Sequence, residues 1–381
     1  MSRKSQLTLV SLAILFSALV LVWRFFTGGQ DNGPVTVGVA VTLTGNNAEL
    51  GIQARNGIGL ALEDFNAKGG IDGRPVELAV TDDEGTPEGA AAACSFLAEQ
   101  GVAAVIGHST SSQTMAGLKV TDPLGIVMIS PTASTDALSG KDDFFFRVVD
   151  VSVTRATVLG RHILTDRGCA TMAIVYDTVN KAFTSSFTEA LRSDFEAAGG
   201  RVVEIIQFES STSPDLPAII SKLTDAAPEA ICIVASDINT ALVSQRIRLA
   251  GITAPLFTSS LAFTPHLISH GGNAVEGIST VQSLWVSDDN PEFRPFIQRY
   301  RESYGEAAAF GAVFGYEAAM ILFEALTETR GTGGEALKKA LLGMAARRVL
   351  TESISFDAFG DVSRPYSLLT VKDGKFVQGG M

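Results

Sequence analysis

The chain has 381 residues, 46% of them hydrophobic, with 37 glycines and 13 prolines, and a formal net charge of −12. This is a globular composition, long enough for two lobes of ordinary domain size. Its acidity, with no basic run beyond the extreme N-terminus, excludes nucleic-acid binding and adsorption to acidic membrane surfaces.

Arg3 and Lys4 precede an uncharged apolar stretch over 7–23, closed by Arg24. A basic region followed by an apolar one is the pattern of an export signal. The stretch is just short of a full span, Arg24, Phe25 and Phe26 suit a membrane interface, and neither a small-x-small cleavage site nor a lipid-accepting cysteine comes after it. The expectation is a signal-anchor over 1–28, with the remainder periplasmic or otherwise extracytoplasmic; a cleaved signal peptide is the alternative.

After the linker 28–34, β-rich runs alternate with helical ones. Strands are expected at 35–43, 76–82, 102–107 and 126–130, and helices at 51–67, at 87–100 and from Ser111. The series then restarts, with strands at 171–176, 201–208, 230–235, 255–258 and 277–283 and helices at 184–198, 216–226 and 240–250. Helices at 291–304, 307–329 and 334–344 and a terminal β segment at 353–376 complete the chain. Such repeated βα units predict α/β architecture: two doubly wound parallel-sheet lobes in tandem.

Two hydroxyl-rich turns stand out, HSTSSQ at 108–113 and SPTASTD at 130–136, each placed after an apolar strand and opening toward a helical stretch. In an open α/β sheet, ligands sit beyond the carboxyl ends of strands, where helix N-termini offer unpaired N–H groups. The turns therefore suit a small anion such as a carboxylate. The apolar run 231–235, ending in Ser236 and Asp237, repeats the design in the second unit. Two such rims facing each other make the walls of one cleft.

Rival chemistries are weaker. His108 beside Ser109 and Ser111 does not form a GxSxG nucleophile elbow, and neither His266 nor His270 is marked as the late base of a triad. His266 and His270 have i, i+4 spacing but no HExxH glutamate or third ligand. The acidic run 82–84 lacks a calcium-loop pattern, and 144–146, three phenylalanines, reads as core packing at the lobe junction. Cys94, Cys169 and Cys232 are widely spaced and read as small buried hydrophobes, although one pair could oxidise outside the cytoplasm. Hydroxyls at 109–112 also have ordinary N-cap chemistry open to them, as does Asp237 ahead of the helix from Thr240.

The segment GIQARNGIGLALEDFNAKGGIDGRPVEL at 51–78, then 81–83, 105–108 with Ser111, and 129–131 with Ser134 resemble the type I periplasmic solute-binding proteins, in the leucine/isoleucine/valine-binding branch that serves ABC transporters. The resemblance covers the chain from Pro34 onward. It implies three hinge crossovers, near Asp150, Ser283 and Ser353, so that one lobe comprises 34–150 plus 284–352 and the other 151–283 plus 353–381. It implies no enzymatic activity, no cofactor and no metal. Its implied partners are a small carboxylate ligand and an ABC permease in the cytoplasmic membrane, with the receptor monomeric and tethered by its N-terminal segment.

Carried over by position, Ser111 and Ser134 match hydroxyls that meet the ligand carboxylate, and Thr132 matches a backbone contact. Leu50 stands where the family has an aromatic wall, and Phe183, with Asn180, stands near a missing Tyr-Gly. Asp237 occupies a tyrosine position, and Ser260 the position of the glutamate that receives the ligand ammonium. The implied ligand is an amino acid if Asp237 supplies that acceptor, and a non-amino organic acid or amide if it does not. A ligand sensor for a membrane signalling partner is the alternative to an importer receptor.

Overall fold

The computed structural model describes residues 33–45, 47–350 and 353–379; the expected signal-anchor at 1–28 lies outside them. From the first described strand the chain runs β1 (Val35–Val41), α1 (Ala48–Ala67), β2 (Val76–Asp82), α2 (Pro87–Glu99), β3 (Val105–Gly107), α3 (Ser111–Thr121), β4 (Met128–Ser130) and β5 (Phe145–Arg147). These strands form one sheet in the order β2-β1-β3-β4-β5, parallel throughout. Residues 37, 39, 40 and 41 of β1 have no exposed surface, as a parallel strand covered on both faces requires. The phenylalanine run lies in the core as expected, and Phe145 and Phe146 also belong to a fifth strand, paired with β4.

The chain continues through α4 (Ser152–Arg161), β6 (Thr171–Asp177), α5 (Lys181–Ala197), β7 (Arg201–Phe208), α6 (Leu216–Ala226), β8 (Ala230–Val234), α7 (Asp237–Leu249), β9 (Leu256–Thr258), α8 (Pro265–Gly271) and β10 (Ser279–Gln282). Then come α9 (Arg294–Tyr304), α10 (Phe310–Glu328), α11 (Gly334–Gly343), a small β11–β12 pair (Arg347–Arg348 and Ser353–Ile354), β13 (Ser367–Lys372) and β14 (Lys375–Gln378). The second sheet has the order β14-β13-β10-β9-β8-β6-β7. It is parallel from β7 to β10 and antiparallel through β13 and β14.

Late segments return to early partners. α10 packs along α1 over the first sheet, and Leu50, Ile58, Val313, Ile321 and Phe323 share one buried core. α10 is long and apolar enough to cross a membrane, yet it is mostly buried within the fold, so it is the core helix of this unit.

The α1–α10 contact is close because glycines meet backbone. A Cβ on Gly57 would stand 1.9 Å from the Ala312 carbonyl oxygen, and one on Gly315 2.3 Å from that of Ala54. Only glycine fits either place without moving a helix. Gly57→Ala is expected to destabilise the fold by about 1–3 kcal/mol through overpacking, read as a lower urea midpoint; an unchanged midpoint would show that the helices separate freely.

Candidate functional site

The turn after β3 is fixed from beneath by His108, which has no exposed surface. Its Nδ1 lies 2.7 Å from Asp83 Oδ2 and its Nε2 3.3 Å from Cys94 Sγ, while the Thr42 hydroxyl donates to Asp83 Oδ1 at 2.7 Å. The order thiol, imidazole, carboxylate resembles a nucleophilic triad, but all three groups are buried. Burial, then the neighbouring Asp83 charge, pushes the Cys94 thiol up to about 12, so it stays protonated at neutral pH. The group braces the turn instead of attacking a substrate.

The two hydroxyl-rich turns are stitched together. Ser130 Oγ donates to the His108 carbonyl (2.7 Å), Thr132 Oγ1 donates to that of Ser109 (2.5 Å), and the Thr135 N–H donates to Ser111 Oγ (3.2 Å). Ser111 Oγ thus accepts from the neighbouring turn while its own proton is free to point elsewhere. The Thr132 N–H, expected to serve a ligand, is directed to Ser130 Oγ at 3.3 Å.

Between the two sheets lies a tight, partly open pocket lined by residues of both. Six of the residues singled out in the sequence line it: Leu50, Ser111, Thr132, Ser134, Phe183 and Ser260. Ser109, Thr110, Arg155, Asn180 and Gln282 add polar lining, and Leu261, Phe310 and Phe314 add apolar lining. The hydroxyls of Ser109 and Thr110 and the Nε of Arg155 are buried without a hydrogen-bond partner. Such orphans are rare in native proteins and need an explanation. The Nη1 of Arg155 donates to Asp150 Oδ1 (3.3 Å) and Ser283 Oγ (3.0 Å).

The two sheet units cap each other across the cavity. Asn180 Oδ1, at the start of α5, accepts from the Ser112 N–H of α3 (3.2 Å), and Ser112 Oγ accepts from the Ala182 N–H of α5 (3.1 Å). Two helix N-termini, each the positive end of a helix dipole, therefore meet at the cavity edge.

Asp237 is the exception among the expected residues, because it does not line the cavity. It is the first residue of α7, whose N-cap is Ser236 and whose start precedes the expected Thr240. Its carboxylate accepts from the Thr264 hydroxyl (2.5 Å) and the Ile238 N–H (2.7 Å). His266 lies beside it, with Nδ1 3.9 Å from Asp237 Oδ2 and 3.7 Å from Glu49 Oε2. Burial leads the influences that raise the Glu49 carboxyl, opposed by the Gln53 hydrogen bond and His266. The His266 and His270 rings stand edge to face, 5.5 Å apart, and the described residues contain no cluster of three metal-ligating side chains.

The sequence model described as periplasmic binding protein matches residues 34–375. The chain belongs to the periplasmic binding protein family. Leu/Ile/Val-binding protein homolog 1 of Brucella melitensis is 24% identical over 368 residues, covering 95% of this chain and 98% of that one. A leucine binding protein from Thermotoga maritima superimposes with a TM-score of 0.82 at 24% identity, over 91% of this chain and 98% of its own. A solute binding protein of an ABC transporter from R. palustris, in complex with benzoate, superimposes with a TM-score of 0.80 at 20% identity, over 91% and 96%.

As a member of the periplasmic binding protein family, the chain is a solute-binding protein and not an enzyme. Among the lining residues that sequence reading missed, Arg155 is the charged one. The signal was present: Ser152, Arg155, Ala156 and Leu159 form the buried stripe of α4, and an arginine on such a stripe asks for a partner. In the sequence, Ser109 and Thr110 belong to the turn read as an anion cradle, with cap chemistry also open to them, and neither is singled out as a ligand contact. The three cysteines are unpaired and buried, so no disulfide links them. In the native protein Cys94 and Cys232 are expected to resist a thiol reagent such as DTNB and to react only on unfolding; fast labelling of either would contradict the buried arrangement.

Proposed function

We propose that this chain is the extracytoplasmic substrate-binding receptor of an ABC importer, and that its ligand is a small organic acid carrying a carboxylate and no ammonium group. The orphaned donors of the cavity carry this reading. A carboxylate offers acceptors to the Ser109 and Thr110 hydroxyls and to Arg155 Nε together, and the paired N-termini of α3 and α5 favour the same charge. An ammonium finds no such welcome, since no acidic side chain appears among the described lining residues and Asp237 is engaged with Thr264. Burying a cation there without an acceptor is costly. The benzoate-bound neighbour supports a non-amino acid as a ligand that this architecture can hold.

In this reading the sheets are the two lobes of a clamshell, 34–150 plus 284–352 and 151–283 plus 353–381. Asp150 and Ser283, both bonded to Arg155, lie at two of the crossovers. Hinge closure brings Asn180 and Phe183 onto a ligand already held by Ser111, Ser134 and Arg155, and creates the surface that a permease recognises. Residues 1–28 tether the receptor to the cytoplasmic membrane.

A thermal-shift panel tests the ligand class. Aliphatic or aromatic acids are expected to raise the melting temperature and their amides and α-amino derivatives are not; stabilisation by leucine or isoleucine without stabilisation by any plain acid would refute the reading. Thr110→Val, which keeps shape but removes a hydroxyl lacking a protein partner, should leave the ligand-free melting temperature unchanged or higher. It should weaken binding by about 1–3 kcal/mol, measured by calorimetry; equal affinity would remove that hydroxyl from the site. The full chain should stay with membranes through an alkaline wash, whereas a chain lacking 1–28 should be released with the same ligand affinity. Release of the full chain would argue for cleavage.

A further inference from the structure

The wall of the pocket that the second sheet supplies is polar without being charged. Asn180 stands three residues past the end of β6, Ser260 two past β9, and Gln282 closes β10. All three therefore sit at the carboxyl ends of parallel strands of that sheet, the place where α/β sheets hold ligands. Each lines the pocket and is more than nine-tenths buried. Each also keeps a side-chain polar atom that bonds to nothing among the described residues. The Asn180 amide oxygen accepts from the Ser112 N–H, which fixes the orientation of the amide and leaves both protons of Nδ2 without a protein partner. Gln282 Nε2 donates to the Ser260 carbonyl at 3.4 Å, which leaves Gln282 Oε1 as a spare acceptor and the Ser260 hydroxyl uncommitted. None of these three atoms is sealed inside the fold, as the Ser109 and Thr110 hydroxyls are. On the first wall Arg155 is the one charged group among the described lining residues, a balance that suits one carboxylate and leaves no cation for a second.

We propose that the ligand is a monocarboxylic hydroxy acid: its carboxylate sits on Ser109, Thr110 and Arg155, and its hydroxyl is read by Asn180, Ser260 and Gln282. A hydroxyl is donor and acceptor at once, so it accepts from Asn180 Nδ2 while donating to Gln282 Oε1. A ketone only accepts, and leaves the glutamine oxygen unpaired. A second carboxylate meets that same oxygen with like polarity. A plain acid strands all three groups once closure excludes water, and a stranded buried polar group costs more than an added hydrogen bond contributes. Selectivity then comes from rejecting acids that lack the hydroxyl. The inference rests on the carboxylate reading above and adds to it the chemistry of the ligand's other end.

Calorimetry on the full chain in lipid nanodiscs, with empty nanodiscs as the blank, tests this with two matched pairs that differ in spacing: 4-hydroxybenzoate against benzoate, and 3-hydroxybutanoate against butanoate. In at least one pair the hydroxy acid is expected to bind about 10- to 100-fold more tightly than its parent. Ser260→Ala removes a hydroxyl without a protein partner, and Gln282→Met keeps the side-chain length but removes the spare acceptor. Each is expected to cut that preference about fivefold or more by weakening the hydroxy acid alone, with the parent acid bound as before; if one variant fails to fold, the other gives the same reading. Parent acids that bind as tightly as their hydroxy derivatives in both pairs would overturn the hydroxyl and leave the carboxylate reading standing. A preference that survives in both variants, or losses of equal size for hydroxy acid and parent, would overturn it equally. Failure of all four acids to bind would remove both readings.

Discussion

The site depends on the cross-bonding of two turns at the carboxyl rim of the first sheet. Parallel strands leave their last residues side by side, but strand pairing does not fix the turns beyond them. Here Ser130 Oγ to the His108 carbonyl, Thr132 Oγ1 to that of Ser109 and Thr135 N–H to Ser111 Oγ join the turns, while the buried Asp83–His108–Cys94 group holds the first turn down onto the sheet. The hydroxyls of Ser130 and Thr132 are spent on this framework, which leaves those of Ser109 and Thr110 as the unpaired ones. The outcome is a preorganised donor array, and preorganisation is what makes such donors effective toward an anion.

The opposing wall works by different chemistry. The second sheet supplies Asn180, which caps α3 from across the cavity, and Ser112 returns the contact to α5. Two positive helix ends brought together repel unless an anion or a side-chain acceptor lies between them. Here the side-chain acceptors Asn180 Oδ1 and Ser112 Oγ fill that place. The acidic residues Glu49 and Asp237 stand outside the cavity lining and lie beside His266 instead of a ligand.

Much of the fold was legible in the sequence because its signals are local. The apolar run of β1, the glycine-punctuated α1 and the Ser111 start of α3 appear as read, with strand and helix ends shifted by a few residues. The fifth strand escaped because a three-residue run of phenylalanines has no period to distinguish strand from core loop. At the site, Ser111, Thr132, Ser134, Ser260, Phe183 and Leu50 come together as expected, whereas Asp237 turns to Thr264. Its placement depends on where α7 begins: with Ser236 as the cap, Asp237 is drawn into the first helical turn.

By itself the sequence determined the architecture, the pairing of two hydroxyl-rich rims and the membership of a solute-binding family, because periodicity, turn chemistry and contiguous motifs are properties of neighbouring residues. Tertiary structure alone decided which of those hydroxyls remain unpaired, that Arg155 joins the cavity from 45 residues beyond Thr110, and that Asp237 does not. Each of these turns on which partner a buried polar atom or ring finds across the fold, and that choice is made by packing between segments far apart in the chain.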